Sequence, residues 1–582
     1  MKDVHHQVDD PSPPSRDERP GVAIVGGGPR GLQALDLLNA QLARSRAACS
    51  LGIDVFEPRE SIGSGPNYDT ALPEPLRINL AARHVEAGTP RADGGGREQP
   101  SFVAWLAQHH PAWADEYGFP PRALVGAYLQ ACARRTIASL RAHGCRVRHF
   151  QGRVTAIERG SGPGRWCVRF ERHAFEYDHV LLTTGHDSSR RRNIADRWWG
   201  RLTHVVPDVY ADDGLRIGAV FDGASADSGS ATVALRGFAL TSFDAMLLLT
   251  EGRGGRFESR GLGQMSYTPS EQAPVELIPF SRTGLPMLAK PDPRRVRSAR
   301  ILEDVWTAGR REVAIADDLD GVRKAIVSAS ARALARSRDL PPHESPSAVR
   351  SVRARLERVS ESRPVDRAGA RAMLRASIAV GVGVAAVDSD WALGEGWRQL
   401  YPALVEWIGQ SGHSPEARER FAHLGRCMER VAFGPPIGTA ARLIALEDAG
   451  VLNLGFLTDP ALSSERGRLI LEADGRRTSA DMLVDAVSAA PGIDETSELL
   501  GPLLTAGIVR VLPGTHGLEV DRASRPIDRH GAPLQRLAVV GRATEGCVLG
   551  LDTLSRTLHD HLRVWAGEVV AATSFHGFET LH

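Results

Sequence analysis

The ordered pattern of the chain starts near residue 21, where a short apolar run leads into glycines and then into apolar residues at helical spacing. Residues 22–25 predict a buried strand, and the following leucines predict one face of a helix. These leucines are Leu32, Leu35, Leu37, Leu38 and Leu42. A second apolar run, GIDVFEP, predicts a strand that carries Glu57 near its end. The order of strand, glycine turn, helix and strand predicts a parallel β-α-β unit.

The turn in this unit has the spacing Gly26-x-Gly28-x-x-Gly31. In a dinucleotide-binding unit, Gly26 permits the tight turn, Gly28 lets the backbone approach a pyrophosphate, and Gly31 lets helix and strand pack closely. The helix N-terminus offers free N–H groups to the phosphates. Glu57 can accept hydrogen bonds from a ribose. Glycines also mark ordinary turns, but the strand and helix on either side favour dinucleotide binding over a relic fold that binds nothing.

A second unit of the same kind starts at residue 231. A strand over 232–235 leads into Gly237-x-Ala239-x-x-Ser242 and a helix, with Ala239 adding a methyl group where the backbone meets a pyrophosphate. The next strand, VELIPFSRTG, ends in Ser281-Arg282, where NAD-binding units carry an acid. A hydroxyl and a guanidinium suit the ribose 2′-phosphate of NADPH. The alternative for Arg282 is an exposed loop arginine.

The remaining segments predict how the two units are connected. An apolar strand ends at Thr184-Gly185, which is typical of the strand that returns the chain to the first cofactor. Residues 290–448 read as helices, VLNLGFL (451–457) and SADMLVDAVSAAPG (479–492) as strands, and 518–546 as two strands and a loop. The last of these segments ends in Gly541-Arg542, where many flavoproteins carry Gly-Asp beside the flavin. A helix from Thr553 closes the chain.

We therefore expect an α/β fold with two nested Rossmann-like dinucleotide-binding domains and a helical insertion. Two units in this order imply FAD in the first and a nicotinamide donor in the second. The expected boundaries are a disordered tail (1–20), the FAD-binding domain (21–230 and 493–582), the NADPH-binding domain (231–295 and 449–492) and the helical insertion (296–448).

Composition excludes several classes of function. A hydrophobic content of 42%, a charged content of 24% and a net charge of +1 over 582 residues indicate a globular protein without a nucleic-acid or acidic-membrane surface. Six scattered cysteines without a C-x-x-C pair predict reduced thiols and no metal site. The longest apolar run, 378–387, is too short to span a bilayer. We expect a cytoplasmic protein that binds neither nucleic acid nor membrane, with homo-oligomerisation left open.

Several motifs resemble those of the FAD-dependent L-aspartate N-monooxygenases, or nitrosuccinate synthases, of natural-product biosynthesis. The resemblance runs from about Gly21 to the C-terminus. It is carried by the motifs GVAIVGGGPRGL, GSGPNY, RINLAARHVE, GFALTSFD, GRGGRF, IPFSRTGLP and VAFGPP.

This resemblance implies that NADPH reduces FAD and that a flavin hydroperoxide then hydroxylates the amino nitrogen of a small amino acid, with L-aspartate and dioxygen as the expected substrates. It implies that Asn79 lies near the flavin or the nicotinamide and that Arg430 or Arg77 binds a substrate carboxylate, although each arginine is also consistent with a surface charge. His84 and His186 could help to deprotonate the amine. A Baeyer–Villiger or other amine monooxygenase, a flavin reductase and a non-catalytic FAD-binding protein stay open as alternatives.

Overall fold

The computed structural model describes residues 21–45, 51–89, 99–185, 187, 198, 200–210, 231–296, 302–410, 412–551, 554–556 and 558–576. The strands in chain order are β1 (Val22–Val25), β2 (Gly52–Glu57), β3 (Arg146–Gln151), β4 (Val154–Arg159), β5 (Trp166–Phe170), β6 (His173–Tyr177), β7 (His179–Leu182), β8 (His204–Val206), β9 (Thr232–Arg236), β10 (Arg256–Gly261), β11 (Gln264–Thr268), β12 (Glu276–Phe280), β13 (Ala461–Glu465), β14 (Arg468–Ala473), β15 (Arg476–Ala480), β16 (Met482–Asp485) and β17 (Leu537–Val539).

The helices in chain order are α1 (Pro29–Ser45), α2 (Phe102–His109), α3 (Arg122–Ala142), α4 (Leu240–Leu249), α5 (Glu303–Ala314), α6 (Leu319–Ser337), α7 (Ser345–Glu361), α8 (Arg367–Gly381), α9 (Ser389–Ile408), α10 (Pro415–Ala432), α11 (Ile437–Asp448), α12 (Gly501–Thr505) and α13 (His561–His576). Among the described residues, no helix combines the length and the apolar character that a membrane span requires.

The first parallel sheet has the strand order β17-β7-β1-β2-β3. The apolar strand β1 is buried along its whole length because it has neighbours on both sides. The chain continues from β1 to β2 on one side and later places β7 on the other. The carboxyl end of β1 is therefore a topological switch point, where open α/β sheets bind their ligands.

The second parallel sheet repeats this plan with the order β12-β9-β16-β8. Its central strand β9 pairs with β12 on one side and β16 on the other, so β9 also ends at a switch point. In both units a three-stranded antiparallel sheet precedes the return strand: β4-β5-β6 comes before β7, and β13-β14-β15 before β16. The predicted α/β class with two nested dinucleotide-type units is confirmed.

The helical insertion builds a core of its own, in which the large side chains of Trp306, Trp397 and Trp407 are almost completely buried. Two of these tryptophans lie on the apolar stripe of α9, which packs into this core. Two other helices of the insertion, α8 and α11, contribute residues to the core of the second sheet. The insertion is thus fixed to the second unit through apolar contacts.

Some sequence predictions differ from the structure. The predicted strand 451–457 is instead a single bridge from Leu452 to Leu277 followed by a short 3₁₀ helix, because the Asn453 side chain accepts a hydrogen bond from Gly455 N at 2.8 Å and turns the chain. Residues 256–268 form the hairpin β10-β11.

The predicted second strand within 518–546 is also wrong. Only β17 forms there, and the remainder makes isolated bridges whose partners include Pro526 and Pro533. Proline has no N–H, so these bridges cannot extend into a ladder. The closing helix begins at His561 rather than near residue 553. β8 pairs with β16, so the second sheet takes one strand from the segment assigned to the first domain; the other domain boundaries stay predictions.

Candidate functional site

The first glycine turn connects β1 to α1 at the carboxyl edge of its sheet. Gly26 has a φ of 104°, which side-chain-bearing residues rarely adopt, and its N–H donates to the Phe56 carbonyl at 2.9 Å. A Cβ at Gly26 would overlap the Thr183 carbonyl, and a Cβ at Gly31 would overlap the Gly26 carbonyl oxygen. The tight turn and the close helix packing that the spacing predicted are therefore both present.

The flank of this turn at Gly28 has more space. A Cβ at Gly28 would meet nothing nearer than Gly65 Cα, at 3.7 Å. Gly65 belongs to the loop after β2, which is tied to the turn because Gly63 N donates to the Gly27 carbonyl at 2.7 Å. α1 starts at Pro29, directly after Gly28, so the N-terminal end of the helix lies beside this space. The geometry fits a phosphate held by backbone N–H groups and the helix dipole.

Glu57 lies directly beside the turn, where the sequence placed it. Its side chain is 6% exposed, and Oε2 accepts a hydrogen bond from Gly27 N at 2.8 Å. Oε1 accepts a second one from Arg59 N at 3.2 Å. Each carboxylate oxygen has a further lone pair, so Glu57 can bind the turn and a ribose hydroxyl together.

Gly185 and Gly541 lie at the same edge of the first sheet. Gly185 follows β7 by three residues and Gly541 follows β17 by two, and the register pairs Val539 with Leu182. Their φ values are 76° and 116°, while a Cβ at either would meet nothing within 4 Å. Glycine is therefore favoured at these two positions by the positive φ and not by a lack of space for a side chain.

The second glycine turn follows the same backbone plan. Gly237 has a φ of 112°, and its N–H donates to the Phe280 carbonyl at 2.8 Å. Ser281 comes immediately after Phe280, as Glu57 does after Phe56, so it occupies the position of the first unit's acid. Its hydroxyl accepts a hydrogen bond from Gly284 N at 3.0 Å. Arg282 is exposed and forms no hydrogen bond or ion pair with another described residue.

Ser242, predicted to contact the second cofactor, is completely buried in α4. Its side chain is 0% exposed, and its hydroxyl has no hydrogen-bond partner among the described residues. It occupies the position of Gly31, where the first unit has no side chain. Its contact with a cofactor therefore stays a prediction.

Arg430 is a partly buried guanidinium that faces another cation. Its Nη1 donates to the Leu285 carbonyl at 2.6 Å, and no described carboxylate forms an ion pair with it. Burial lowers the pKa of Arg430. The charges of Cys427 and Glu429 oppose this shift, and the charge of Arg282 adds to it. An anion bound by Arg430 would offset the cost of burying its charge.

Arg77 is held differently. It forms an ion pair with Glu74 at 3.3 Å and stacks on the Trp113 ring, 4.2 Å from the centroid. Burial lowers its pKa, while the carboxylate of Glu74 raises it. Its Nη1 is buried without a hydrogen-bond partner among the described residues, so Arg77 stays a candidate for binding a substrate carboxylate.

Asn79 lies in the loop after the first-domain segment 72–76, whose Leu72 and Leu76 pack into the core of the second unit. Its backbone carbonyl accepts a hydrogen bond from Lys290 Nζ, which joins the loop to the segment before the insertion. His84, in the same loop, accepts a hydrogen bond from Arg83 Nε at 3.1 Å. Partial burial, Arg83 and Lys290 all lower the pKa of His84. His186 lies outside the described residues.

Sequence reasoning missed two residues at these sites. Thr183 donates its hydroxyl to the Gly26 carbonyl at 2.6 Å and so fixes the first turn from the return strand. Lys290 could have been singled out because lysine is rare in this chain; only Lys2 and Lys324 accompany it.

Part of the chain matches a known family, and its fold matches a solved structure. Residues 23–187, which include the first glycine turn, match the family model described as FAD-NAD(P)-binding. The fold is similar over almost the whole chain to that of L-lysine 6-monooxygenase from Pseudomonas syringae, with a TM-score of 0.53, 15% identity, and coverage of 96% of this chain and 99% of the other.

Two curated relatives are more specific in name. An L-aspartate N-monooxygenase (nitrosuccinate-forming) of Streptomyces davaonensis is 28% identical over 299 residues, covering 46% of this chain and 44% of the relative. A nitrosuccinic acid synthase of Aspergillus oryzae is 30% identical over 309 residues, covering 51% and 45%. The match thus spans less than half the length of these relatives.

Proposed function

We propose that this protein is an FAD- and NADPH-dependent monooxygenase that hydroxylates the amino nitrogen of L-aspartate on the way to nitrosuccinate. The observation that carries the proposal is the pair of glycine turns, each at the switch point of its own parallel sheet. Nested units of this kind suit one flavin and one nicotinamide. The names of the curated relatives supply the substrate.

In the first unit, FAD would lie with its pyrophosphate against the open flank of Gly28 and the first turn of α1. Glu57 would hold the adenosine ribose, and Gly185 and Gly541 would let the backbone run close to the cofactor. Bound FAD would supply the redox chemistry with dioxygen. The chain's own residues bind and orient the cofactor and exclude water from it.

In the second unit, Gly237 would receive the NADPH pyrophosphate and Arg282 the 2′-phosphate. The exposed, uncompensated guanidinium of Arg282 supports this assignment, because a phosphate is its natural partner. Ser281 already accepts a hydrogen bond from Gly284 N, but its hydroxyl proton is available to the same phosphate.

For the substrate, Arg430 is our candidate for binding a carboxylate. Its burial without a carboxylate partner among the described residues supports an anionic ligand, and a guanidinium binds a carboxylate in a bidentate geometry. Asn79 is the candidate for orienting the flavin or the nicotinamide amide. Localisation to the cytoplasm and the choice of amino acid belong to this proposal as well.

The test begins with purification of the full chain and a measurement of flavin absorbance. NADPH oxidation is then followed with L-aspartate, other amino acids and a panel of ketones. We expect L-aspartate to stimulate oxidation and label from ¹⁸O₂ to appear in an N-oxygenated product. Stimulation by ketones would favour Baeyer–Villiger chemistry, and NADPH oxidation without incorporation of label would favour a reductase. If the protein binds FAD but NADPH does not reduce the bound flavin, the proposal that it is an enzyme is rejected.

A further inference from the structure

Lys290 is an unusual residue in this chain. Of 71 lysines and arginines, only Lys2, Lys290 and Lys324 are lysines. Lys324 is exposed on α6, whereas Lys290 is partly buried. Arginine remains charged in proteins, but a lysine amine can lose its proton when it is buried. A lysine at a buried junction of an arginine-rich chain therefore points to a property that arginine lacks.

Lys290 lies where three segments meet. It ends the segment 285–290, which we call the strap. The strap is paired with the insertion, because Leu288 N donates to the Arg430 carbonyl at 2.8 Å and Lys290 N to the Pro435 carbonyl at 2.9 Å. Lys290 Nζ extends in another direction, to the Asn79 carbonyl of the first domain.

The residues around Asn79, 76–84, form a loop that we call the Asn79 loop. Its backbone is otherwise held within the first domain: Ile78 N donates to the Pro120 carbonyl and Ala82 N to the Gly118 carbonyl, each at 3.0 Å. The Lys290 bond is of a different kind, since it connects this loop to the second unit and the insertion.

The surroundings of Lys290 disfavour a charged amine. The Asn79 loop contributes Arg83 and His84, and α9 contributes Arg398 and Glu395. Glu395 is already paired with Arg398 at 2.7 Å, and Lys290 forms no ion pair with a described carboxylate. Burial lowers the pKa of Lys290 to about 7, and the charge of Arg398 acts in the same direction.

We propose that Lys290 is a positioning residue that holds the Asn79 loop against the strap and so fixes Asn79 at the boundary of the first domain. The inference rests on the proposed function, in which Asn79 orients the flavin or the nicotinamide. A neutral amine makes this bond without a counter-ion, whereas protonation adds a second positive charge beside Arg398. The unfolded chain binds the proton up to pH about 10.5, so the junction gains stability as pH rises above about 7.

The first test uses the wild-type protein and needs no activity. An amine-reactive reagent is applied over a range of pH, and labelling of each lysine is followed by mass spectrometry. We expect labelling of Lys290 to rise with a midpoint near pH 7, well below that of a free lysine amine, with exposed Lys324 as the internal reference. Equal midpoints for Lys290 and Lys324 would overturn the proposal.

The second test compares Lys290→Met with the matched control Lys324→Met. In Lys290→Met we expect faster amide hydrogen exchange in residues 76–84, about tenfold lower kcat/KM for the amino acid, and unchanged FAD content. We expect kcat/KM of the wild type to change with an inflection near pH 7, and this inflection should be absent from Lys290→Met only. Exchange in 76–84 equal to that of wild type would reject the role of Lys290. If amide exchange in 76–84 is faster in Lys290→Met but the wild-type protein oxidises no amine, the proposed function is rejected. The role of Lys290 in holding the Asn79 loop is then still supported.

Discussion

The two glycine turns share a backbone plan and differ in the side chains around it. Gly26 and Gly237 have φ values of 104° and 112°. The N–H of each donates to the carbonyl of a phenylalanine near the end of the neighbouring strand. Beyond the backbone, the first turn is supported by the Glu57 carboxylate and the Thr183 hydroxyl. The second turn has the hydroxyl of Ser281 in place of that carboxylate.

This difference shows that the features that form the turn are distinct from the features that determine which nucleotide it binds. The turn itself depends on one glycine with positive φ and on pairing with two neighbouring strands. The choice of nucleotide depends on the side chain at the end of the neighbouring strand, β2 or β12. A carboxylate there accepts hydrogen bonds from a free ribose, whereas a hydroxyl beside Arg282 suits a phosphorylated ribose. Substitutions at matched positions of the two turns test this division.

The largest effect is expected for Gly31→Ala. The new Cβ would overlap the Gly26 carbonyl oxygen, so α1 must move away from the turn and the pyrophosphate site is lost. We expect purified protein with little or no bound FAD and stability lower by about 1–3 kcal/mol, measured by flavin absorbance and urea unfolding. Ser242→Ala at the matched position should keep its FAD. Full flavin occupancy in Gly31→Ala would contradict the assignment of the first turn.

Arg282→Ala should raise KM for NADPH by roughly 10- to 100-fold, the range of a lost hydrogen-bonded charge, and change KM for NADH little. The reason is that only NADPH carries the 2′-phosphate. Steady-state kinetics with both nucleotides measure the ratio, and Arg256→Ala, which alters an exposed arginine of β10, is the control. Equal changes for NADPH and NADH would remove Arg282 from phosphate binding.

Glu57→Gln should weaken FAD binding about tenfold, because the neutral amide is a poorer acceptor for the ribose and for Gly27 N. The dissociation constant of FAD, measured by quenching of flavin fluorescence, reports the effect. Ser281→Ala at the matched position should leave that constant as in wild type. If Glu57→Gln binds FAD as tightly as wild type does, the ribose lies elsewhere.

The smallest effect is expected for Thr183→Val, which removes the hydrogen bond to the Gly26 carbonyl. Ala486 occupies the matched position in the second unit. Its N–H donates to the Arg236 carbonyl, just as the Thr183 N–H donates to the Val25 carbonyl. The second turn thus forms without a hydroxyl there. We expect a loss of about 1 kcal/mol in urea unfolding with FAD still bound, whereas Ala486→Ser should be close to neutral. Loss of FAD from Thr183→Val would give the hydroxyl a larger role than the comparison allows.

The sequence was sufficient for features that depend on neighbouring residues. Gly26 and Gly237 were identified from the strand before each and the helix after it, and Glu57 from its place at the end of the next strand. Segments that depend on distant partners were harder to predict. Apolar residues at 451–457 read as a strand, yet Leu452 makes only one bridge, and His204–Val206 joins a sheet that is completed by Met482–Asp485.

The candidate site shows the same limit. The buried state of Ser242 depends on how closely α4 packs on its sheet, which the spacing of glycines does not reveal. The bond from Lys290 to Asn79 joins residues far apart in the chain, and only the rarity of lysine gave a signal. The roles of single arginines could not be predicted from the sequence, because charge without a known partner does not distinguish a ligand site from an exposed surface.

The pairing of β17 with β7 has a consequence for biosynthesis. The outer edge of β7 is exposed on the ribosome until Leu537–Val539 has been translated, after the second unit and the insertion have emerged. An uncovered apolar strand edge invites pairing with other chains. Nascent or prematurely terminated chains that lack the final segment are therefore expected to aggregate and to depend on chaperones, even though their first glycine turn is fully synthesised.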